Sequence, residues 1–485
     1  MLILLFLASF VVALAAYFMK SESAVRTVSV IGSTVVALLT FSMTVPILMS
    51  GVPLMMGDWR IDMFAAILMS LVGFVQWTAT LVSGPYIKEE LHEKIIGLKQ
   101  ARMYYALLQM FVLSMMLTLS ANNIGIMWIS LEGTTLATTL LVAFYTYEGS
   151  LEAAWKYIVL CSVGISLGLL GVLLVFYAAT KAGLGLSPDI LTWTTLHGIA
   201  TQLSPAIMRW AFVFIFIGYG AKVGLVPMHT WLPDAHGRTP SPVSGMLSGV
   251  LLNIALFSIL RYKSLVDLSL GGSDWTNRLF LIFGALSFIV PAAFILVQRN
   301  YKRLLAYSSI EHMGFIVFCI GLGAPGMLAA LVHLIAHSLI KSMLFFGTGN
   351  ILLRWKSTKF AHVGPVMKSL PITGSIFLVG LLALLATPPS PIFFSELSAF
   401  SAGIGSHPLL VIGMLLAGTV IFAGMLRNLI PMLFSQKEDT VKAPVETWNI
   451  SHAAMVLHLV AVVVFGVLLM SPSTWSFLTN IAHVI

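Results

Sequence analysis

The chain has 485 residues, 59% of them hydrophobic and only 9% charged, against about 45–50% and about 25% in an average soluble protein. That excludes a soluble globular protein, because the apolar residues fall into blocks of about 20, the length an α-helix needs to cross a hydrocarbon layer about 30 Å thick. Two cysteines, Cys161 and Cys319, are too few for a four-thiolate iron–sulfur cluster or a thiolate zinc site, and the formal charge of +8 reads as loop cations of a membrane protein rather than nucleic-acid binding.

Fourteen spans are predicted in chain order. They are 1–19, 27–50, 62–84, 103–121, 124–146, 155–180, 208–231, 241–262, 278–298, 303–323, 326–352, 371–401, 408–434 and 449–471. All read as α-helices, since a helix satisfies its backbone groups within lipid and no alternating barrel pattern is present. The expected fold class is therefore an all-α polytopic membrane protein. The first span carries Ala13-Leu14-Ala15, which resembles a signal-peptidase site, but it lacks a positive start and is followed by many more spans, so an uncleaved first helix is expected.

Lysine and arginine are distributed unevenly. Eighteen of the 26 fall in loops after odd-numbered spans, among them Lys88, Lys94, Arg238, Arg299, Lys302, Lys356, Lys437 and Lys442, and six fall on the other side. The positive-inside rule then puts the cation-rich face in the cytoplasm and both termini outside. Lys222 and Lys341 remain, inside apolar spans, where a charge costs at least about 2.5 kcal/mol and marks function by default. Glu132 and Glu396 lie within spans as well. His333, His337 and Lys341 recur at i, i+4 and i+8, which places them on one helical face with about 6 Å between successive levels. Glu311 and His312 stand eight and nine residues beyond Arg303 on the tenth span.

Two spans are poor continuous helices. The seventh contains Gly218, Gly220, Gly224 and Pro227, and the twelfth contains Pro388, Pro389 and Pro391; such residues loosen or break a helical ladder. Each break lies beside a membrane ionisable group, Lys222 and Glu396. If spans four to eight and nine to thirteen form two five-helix units, the break is the fourth helix of each, and an odd helix number makes the second unit inverted. Paired interruptions of that kind point to a transporter built of inverted repeats. The expected division is 1–102, 103–262, 263–434 and 435–485, the last carrying helix fourteen.

These residues suit proton transfer. Burial lowers a lysine's proton affinity and a nearby carboxylate raises it, so Glu132 and Lys222 read as a couple in which moving the carboxylate releases the proton. Histidine, with an ordinary pKa near 6.5, suits intermediate stations at His333 and His337, and Glu396 reads as a terminal acceptor. The alternatives are a static Glu132–Lys222 ion pair, core histidines satisfied by carbonyls, and Glu311 with His312 as the cap of a vestibule. Leu334 follows the first histidine of His333-x-x-x-His337, so the zinc-protease motif is missing.

The runs Leu151–Tyr157, Lys222–His236 and Lys302–Gly314 resemble the antiporter-like subunits of respiratory complex I and the group 4 membrane-bound hydrogenases, in particular the hydrogenase 4 component F branch of the formate hydrogenlyase type. The resemblance implies fourteen helices, repeats over helices 4–8 and 9–13, and broken helices 7 and 12. It further implies a proton path through Glu132, Lys222, His333, His337, Lys341 and Glu396. His229, His236, Asn253, Glu311 and His312 come second to these. It implies no cofactor or metal in this chain, with iron–sulfur clusters and a catalytic metal centre in partner subunits: other membrane subunits and a peripheral hydrogenase-like module. The setting is a bacterial or archaeal cytoplasmic membrane, with no nucleic-acid partner. A sodium/proton antiporter subunit without a redox partner is the other function open to this family. Two departures stand out: Asn253 occupies the mid-helix-eight position where the family often has lysine or histidine, so that step would need water beside Ser244 or Ser248, and the sequence stops at Ile485, soon after its last span, so docking without a long lateral helix is expected.

Overall fold

The computed structural model describes residues 1–185, 187–435 and 446–482. Among these, twelve helices are long and apolar enough to cross a membrane. The shorter Leu2–Phe18 and a divided twelfth span complete the fourteen. In order the spans are Leu2–Phe18, Glu22–Ser50, Met63–His92, Leu98–Ser120, Ile124–Val142, Glu148–Ala179, Pro205–Val223 with Trp231–Arg238, and Ser241–Leu270. Then come Asp274–Val297, Tyr301–Gly321, Ala324–Trp355, Pro371–Leu384 with Pro391–Gly403, Pro408–Phe434 and Ile450–Leu468.

Several helices outrun their predicted ends. The third continues past residue 84 to His92 and the sixth starts at Glu148 rather than 155. Hydropathy stops at the first charged residues, whereas the backbone ladder carries on into the polar interface where those side chains reach water. The connection after the second span holds a small antiparallel hairpin, Leu54–Met56 with Trp59–Ile61, which the all-helical reading did not anticipate. A last short helix, Pro472–Ala482, follows the fourteenth span.

The perimeter is apolar, with Leu38, Leu416 and Val467 each more than half exposed, as expected of helices facing lipid tails. The eighth and tenth spans are enclosed along their apolar stretches, and the eleventh nearly so. Those central spans carry the polar groups. The eighth contains a π-helical turn, Leu247–Leu251, a local widening often found at functional sites.

Three cations read as loop markers are buried. Lys302 lies in the first turn of the tenth span and is 1% exposed. Arg261 and Lys263 lie inside the eighth span, where Arg261 meets Asp62 at 2.6 Å and Lys263 meets Asp267. Asp62 also caps the third span through the Ala65 amide at 3.0 Å. Burial pushes the Asp62 carboxyl up, yet Arg261, the Ala65 amide and Arg60 outweigh it and hold it below the usual carboxylate range. Lys437 and Lys442 lie outside the described residues. Glu446 ties the fourteenth span to the twelfth, accepting from the Ile372 and Thr373 amides at 2.8 and 3.0 Å and from His452 Nε2 at 2.6 Å. Burial raises its proton affinity, but the bonds from His452 and Thr373 prevail and keep it below the ordinary value.

Candidate proton-transfer site

Both predicted breaks are present, and each is closed by side chains that take up the freed backbone groups, as membrane-depth irregularities require. In the seventh span the helix ends at Val223 and Gly224 turns at φ +84°, a conformation that favours glycine. The indole of Trp231 donates to the Ala221 carbonyl at 2.8 Å, and the Val226 amide donates to Ser287 Oγ at 2.9 Å. In the twelfth the helix ends at Leu384 and restarts at Pro391. Ser390 bridges the gap, its hydroxyl donating to the Ala383 carbonyl at 2.7 Å and accepting from the Ile392 amide at 3.1 Å.

Lys222 stands two residues before its break, fully buried. Its Nζ donates to Thr135 Oγ1 at 2.6 Å and to the Tyr157 hydroxyl at 3.0 Å, and Tyr157 in turn meets Thr138 at 2.6 Å. The sixth and seventh spans pack closely enough for this because Gly164 and Gly218 face each other, a Cβ on either colliding with the other's backbone. Glu132 is one turn before Thr135 on the same helix but half-buried, and its Oε1 accepts from Ser162 at 2.7 Å. Oε2 has no protein partner. The expected Glu132–Lys222 couple is thus not a contact pair: hydroxyls hold the lysine, and Ser162 holds the carboxylate.

The second cluster joins the tenth, eleventh and twelfth spans. His312 Nδ1 and His333 Nε2 share a hydrogen bond of 2.9 Å, and His333 Nδ1 shares another of 2.9 Å with Ser395 Oγ. The rings of His312 and His337 are 5.4 Å apart. Neither nitrogen of His337 has a protein partner, although it is fully buried. One turn on, Lys341 Nζ donates to the Leu305 carbonyl at 2.7 Å and to Ser308. Glu311 lies against His312, Oε2 to Nε2 3.4 Å. A cavity of about 390 Å³ opens beside them, with Ser308, Glu311, His312, Glu396 and Thr419 among its lining. His333 of the eleventh span is thus bonded to Ser395, the neighbour of Glu396 on the twelfth, and Glu311 and His312 stand with Glu396 on the cavity wall.

Between the clusters stands Asn253. Its amide donates to Ser338 Oγ at 2.8 Å and to the Gly249 carbonyl at 3.0 Å, while Oδ1 has no protein partner. Ser248 meets Ser309 at 2.7 Å, and Ser244 donates to the His236 carbonyl at 3.2 Å. The eighth span so reaches the tenth and eleventh through hydroxyls. His236 is fully buried, stacked on Phe345 with ring centroids 5.1 Å apart, with neither ring nitrogen partnered. His229 lies on the other side of Trp231, its ring 6.2 Å from Phe294. His458 is anchored between Thr78 and the Leu339 carbonyl, both at 2.9 Å. Among the described residues, no group of three or more His, Cys, Asp or Glu side chains is arranged to hold a metal ion.

The sequence reading missed Thr135, Thr138 and Tyr157 around Lys222, and Ser308 and Ser395 around the histidines. Thr135 stands at i+3 from Glu132 and Ser395 adjoins Glu396, so helical spacing from the predicted carboxylates was the available signal.

A row of buried titratable and hydroxyl groups on broken and π-bulged membrane helices, enclosed by apolar spans, defines a membrane subunit that carries charge through its interior. Residues 121–422 match the family described as NADH:quinone oxidoreductase/Mrp antiporter, transmembrane, and the chain belongs to that family. It is 39% identical to a hydrogenase-4 component F homolog of Methylacidiphilum infernorum (isolate V4), over 72% of this chain and 73% of the homolog. It is 30% identical to hydrogenase-4 component B of Escherichia coli (strain K12), over 70% of this chain and 49% of that protein, of which it spans only about half. Among solved structures, a chain of the archaeal membrane-bound sulfane sulfur reductase superposes with a TM-score of 0.85 at 23% identity, covering 99% of this chain and 96% of that one. A chain of the Mrp complex from Dietzia sp. DQ12-45-1b superposes at 0.81 with 16% identity, covering 98% and 96%.

Proposed function

We propose that this chain is the proton-translocating membrane subunit of a complex-I-like oxidoreductase of the group 4 hydrogenase or formate hydrogenlyase type. The observation that carries the reading is the hydrogen-bonded run His312–His333–Ser395, with Lys341 one turn beyond His337 and Glu396 on the adjoining cavity. Such a run of ionisable groups is costly in a membrane and marks function by default. The identity to hydrogenase-4 components favours the redox-coupled reading over an antiporter without a redox partner, since the Mrp likeness is one of fold.

In this reading residues 103–262 and 263–434 are the two inverted units. Glu132 is the input: its half-buried carboxylate on the fifth span responds to a neighbouring membrane subunit. A carboxylate moving towards or away from Thr135 and Lys222 changes how firmly the ammonium keeps its proton. The released proton crosses by water and the hydroxyls beside Asn253, passes Lys341, His337, His312 and His333, and leaves by Glu396. Iron–sulfur clusters and the catalytic metal belong to partner subunits. The cation-rich face is cytoplasmic, with both termini on the opposite side of a bacterial or archaeal cytoplasmic membrane.

The test is proton transfer per electron pair in inverted vesicles holding the intact complex. Lys222→Ala is expected to abolish it at normal assembly, and Glu396→Gln to block exit. Unchanged transfer in an assembled Lys222→Ala complex would falsify the reading. Co-purification without any iron–sulfur subunit would favour the antiporter function instead.

A further inference from the structure

A second cavity, about 330 Å³, opens on the cation-rich face between the ends of the third, tenth and eleventh spans. Its lining includes Glu90, Tyr145, Arg238, Thr239, Lys302 and Lys356. Glu90 is 4% exposed. The Tyr145 hydroxyl donates to its Oε1, the Tyr86 hydroxyl meets that of Tyr145 at 2.8 Å, and Oε2 has no protein partner. Opposite stands Lys302, whose Nζ donates to the Thr239 carbonyl at 2.5 Å. Residues 237–239 of the cavity wall directly follow His236. That buried ring, unpartnered at both nitrogens, stacks on Phe345, one turn beyond Lys341 on the eleventh span, and Thr239, whose carbonyl takes Lys302, stands about one turn further along its own helix. Lys356 on the same cavity wall is paired with Glu93 at 2.7 Å.

Neither Glu90 nor Lys302 is used by the transfer described above, and a carboxylate and an ammonium buried at the mouth of a membrane protein are costly without a task. We propose that Glu90 and Lys302 form a proton-loading station that admits protons from the cation-rich face and delivers them through His236 to Lys341, reloading the row each time the charge on Lys222 drives a proton out by Glu396. The inference rests on the proton-transfer reading. Lys302 gives a proton to a free ring nitrogen of His236 and is left as a neutral amine. His236 passes the proton to a neutral Lys341 and is neutral again, and Glu90, protonated from the bulk phase through water in the cavity, restores the proton of Lys302 and returns to a carboxylate, so charge and protons balance at each step. Tyr145 and Tyr86 fix the carboxyl that does this.

The experiment uses the whole complex in inverted vesicles and compares Glu90→Gln, Glu90→Asp, Lys302→Arg and Lys222→Ala at verified assembly. Arginine keeps the charge and can still donate to Thr239, but it does not give up its proton. Lys302→Arg and Glu90→Gln are expected to lower proton transfer on the order of tenfold, a typical loss for a relay group, and Glu90→Asp to restore most of it. Transfer unchanged in Lys302→Arg, with Lys222→Ala inactive, overturns the entry and leaves the main function standing; transfer unchanged in Lys222→Ala as well overturns both. If Glu90→Gln does not assemble, Lys302→Arg decides alone, because it preserves the buried charge.

Discussion

The two halves of the molecule use the same break in a membrane helix to present different chemistry. In the first, a single lysine is held by neutral hydroxyls, Thr135 and Tyr157, with Glu132 one turn away from Thr135 and bonded to Ser162. In the second, His312, His333 and Ser395 are hydrogen-bonded in a run, His337 and Lys341 follow at one-turn spacing, and Glu311 and Glu396 line the adjoining cavity. Hydroxyls stabilise an ammonium without fixing its charge, so the first half suits a switch set from outside. Imidazoles pass protons with little driving force near neutral pH, so the second half suits conduction.

Substitutions can break that comparison or sharpen it. The largest effect is expected for Lys341→Ala: if the halves work in series, it should stop proton transfer as completely as Lys222→Ala, on the order of a hundredfold or more by analogy with lost general acid–base groups. A partial loss in Lys341→Ala alone would show that the halves conduct in parallel. His337→Phe should come next, at about tenfold, because its unpartnered ring serves no visible packing bond, whereas His333 is fixed on both sides. Retained transfer in His337→Phe, measured in the same vesicles, would reduce that histidine to a filler.

Tyr157→Phe removes one hydroxyl from Lys222 and should slow transfer severalfold, the net worth of one hydrogen bond being about 1 kcal/mol. Equal sensitivity in Ser308→Ala, across the molecule at Lys341, would erase the distinction between switch and wire. Asn253→Leu severs the link to Ser338 and should affect only exchange between halves; intact transfer would show that the path avoids the eighth span.

The smallest effect concerns stability. Glu446→Gln weakens the tie between the twelfth and fourteenth spans by about 1–2 kcal/mol. Because folding lowers the Glu446 proton affinity, its contribution is fully present above the unfolded value near about 4.3 and fades as pH falls through the lower folded value. Thermal unfolding in detergent should therefore separate wild type from Glu446→Gln at pH 7 and bring them together in acid. A gap independent of pH would mean that the carboxylate charge does not matter there.

Much of this was legible in the chain itself. Spans, breaks and the cations Lys222 and Lys341 could be read because lipid penalises every charge and every open backbone group, so exceptions in the sequence stand out. Spacing along the eleventh span put His333, His337 and Lys341 on one face. The gaps in the reading are of one kind. Helical periodicity says which residues share a face, but not which helix that face meets. Only the packed structure placed Thr135 and Tyr157, rather than Glu132, on Lys222, and brought His312 of the tenth span and Ser395 of the twelfth to the two sides of His333. It also turned Lys302 from a loop cation into a buried one. Hydropathy fixes where a helix may cross; close approaches such as Gly164 against Gly218 decide its neighbours, and the neighbours decide what each buried charge can exchange.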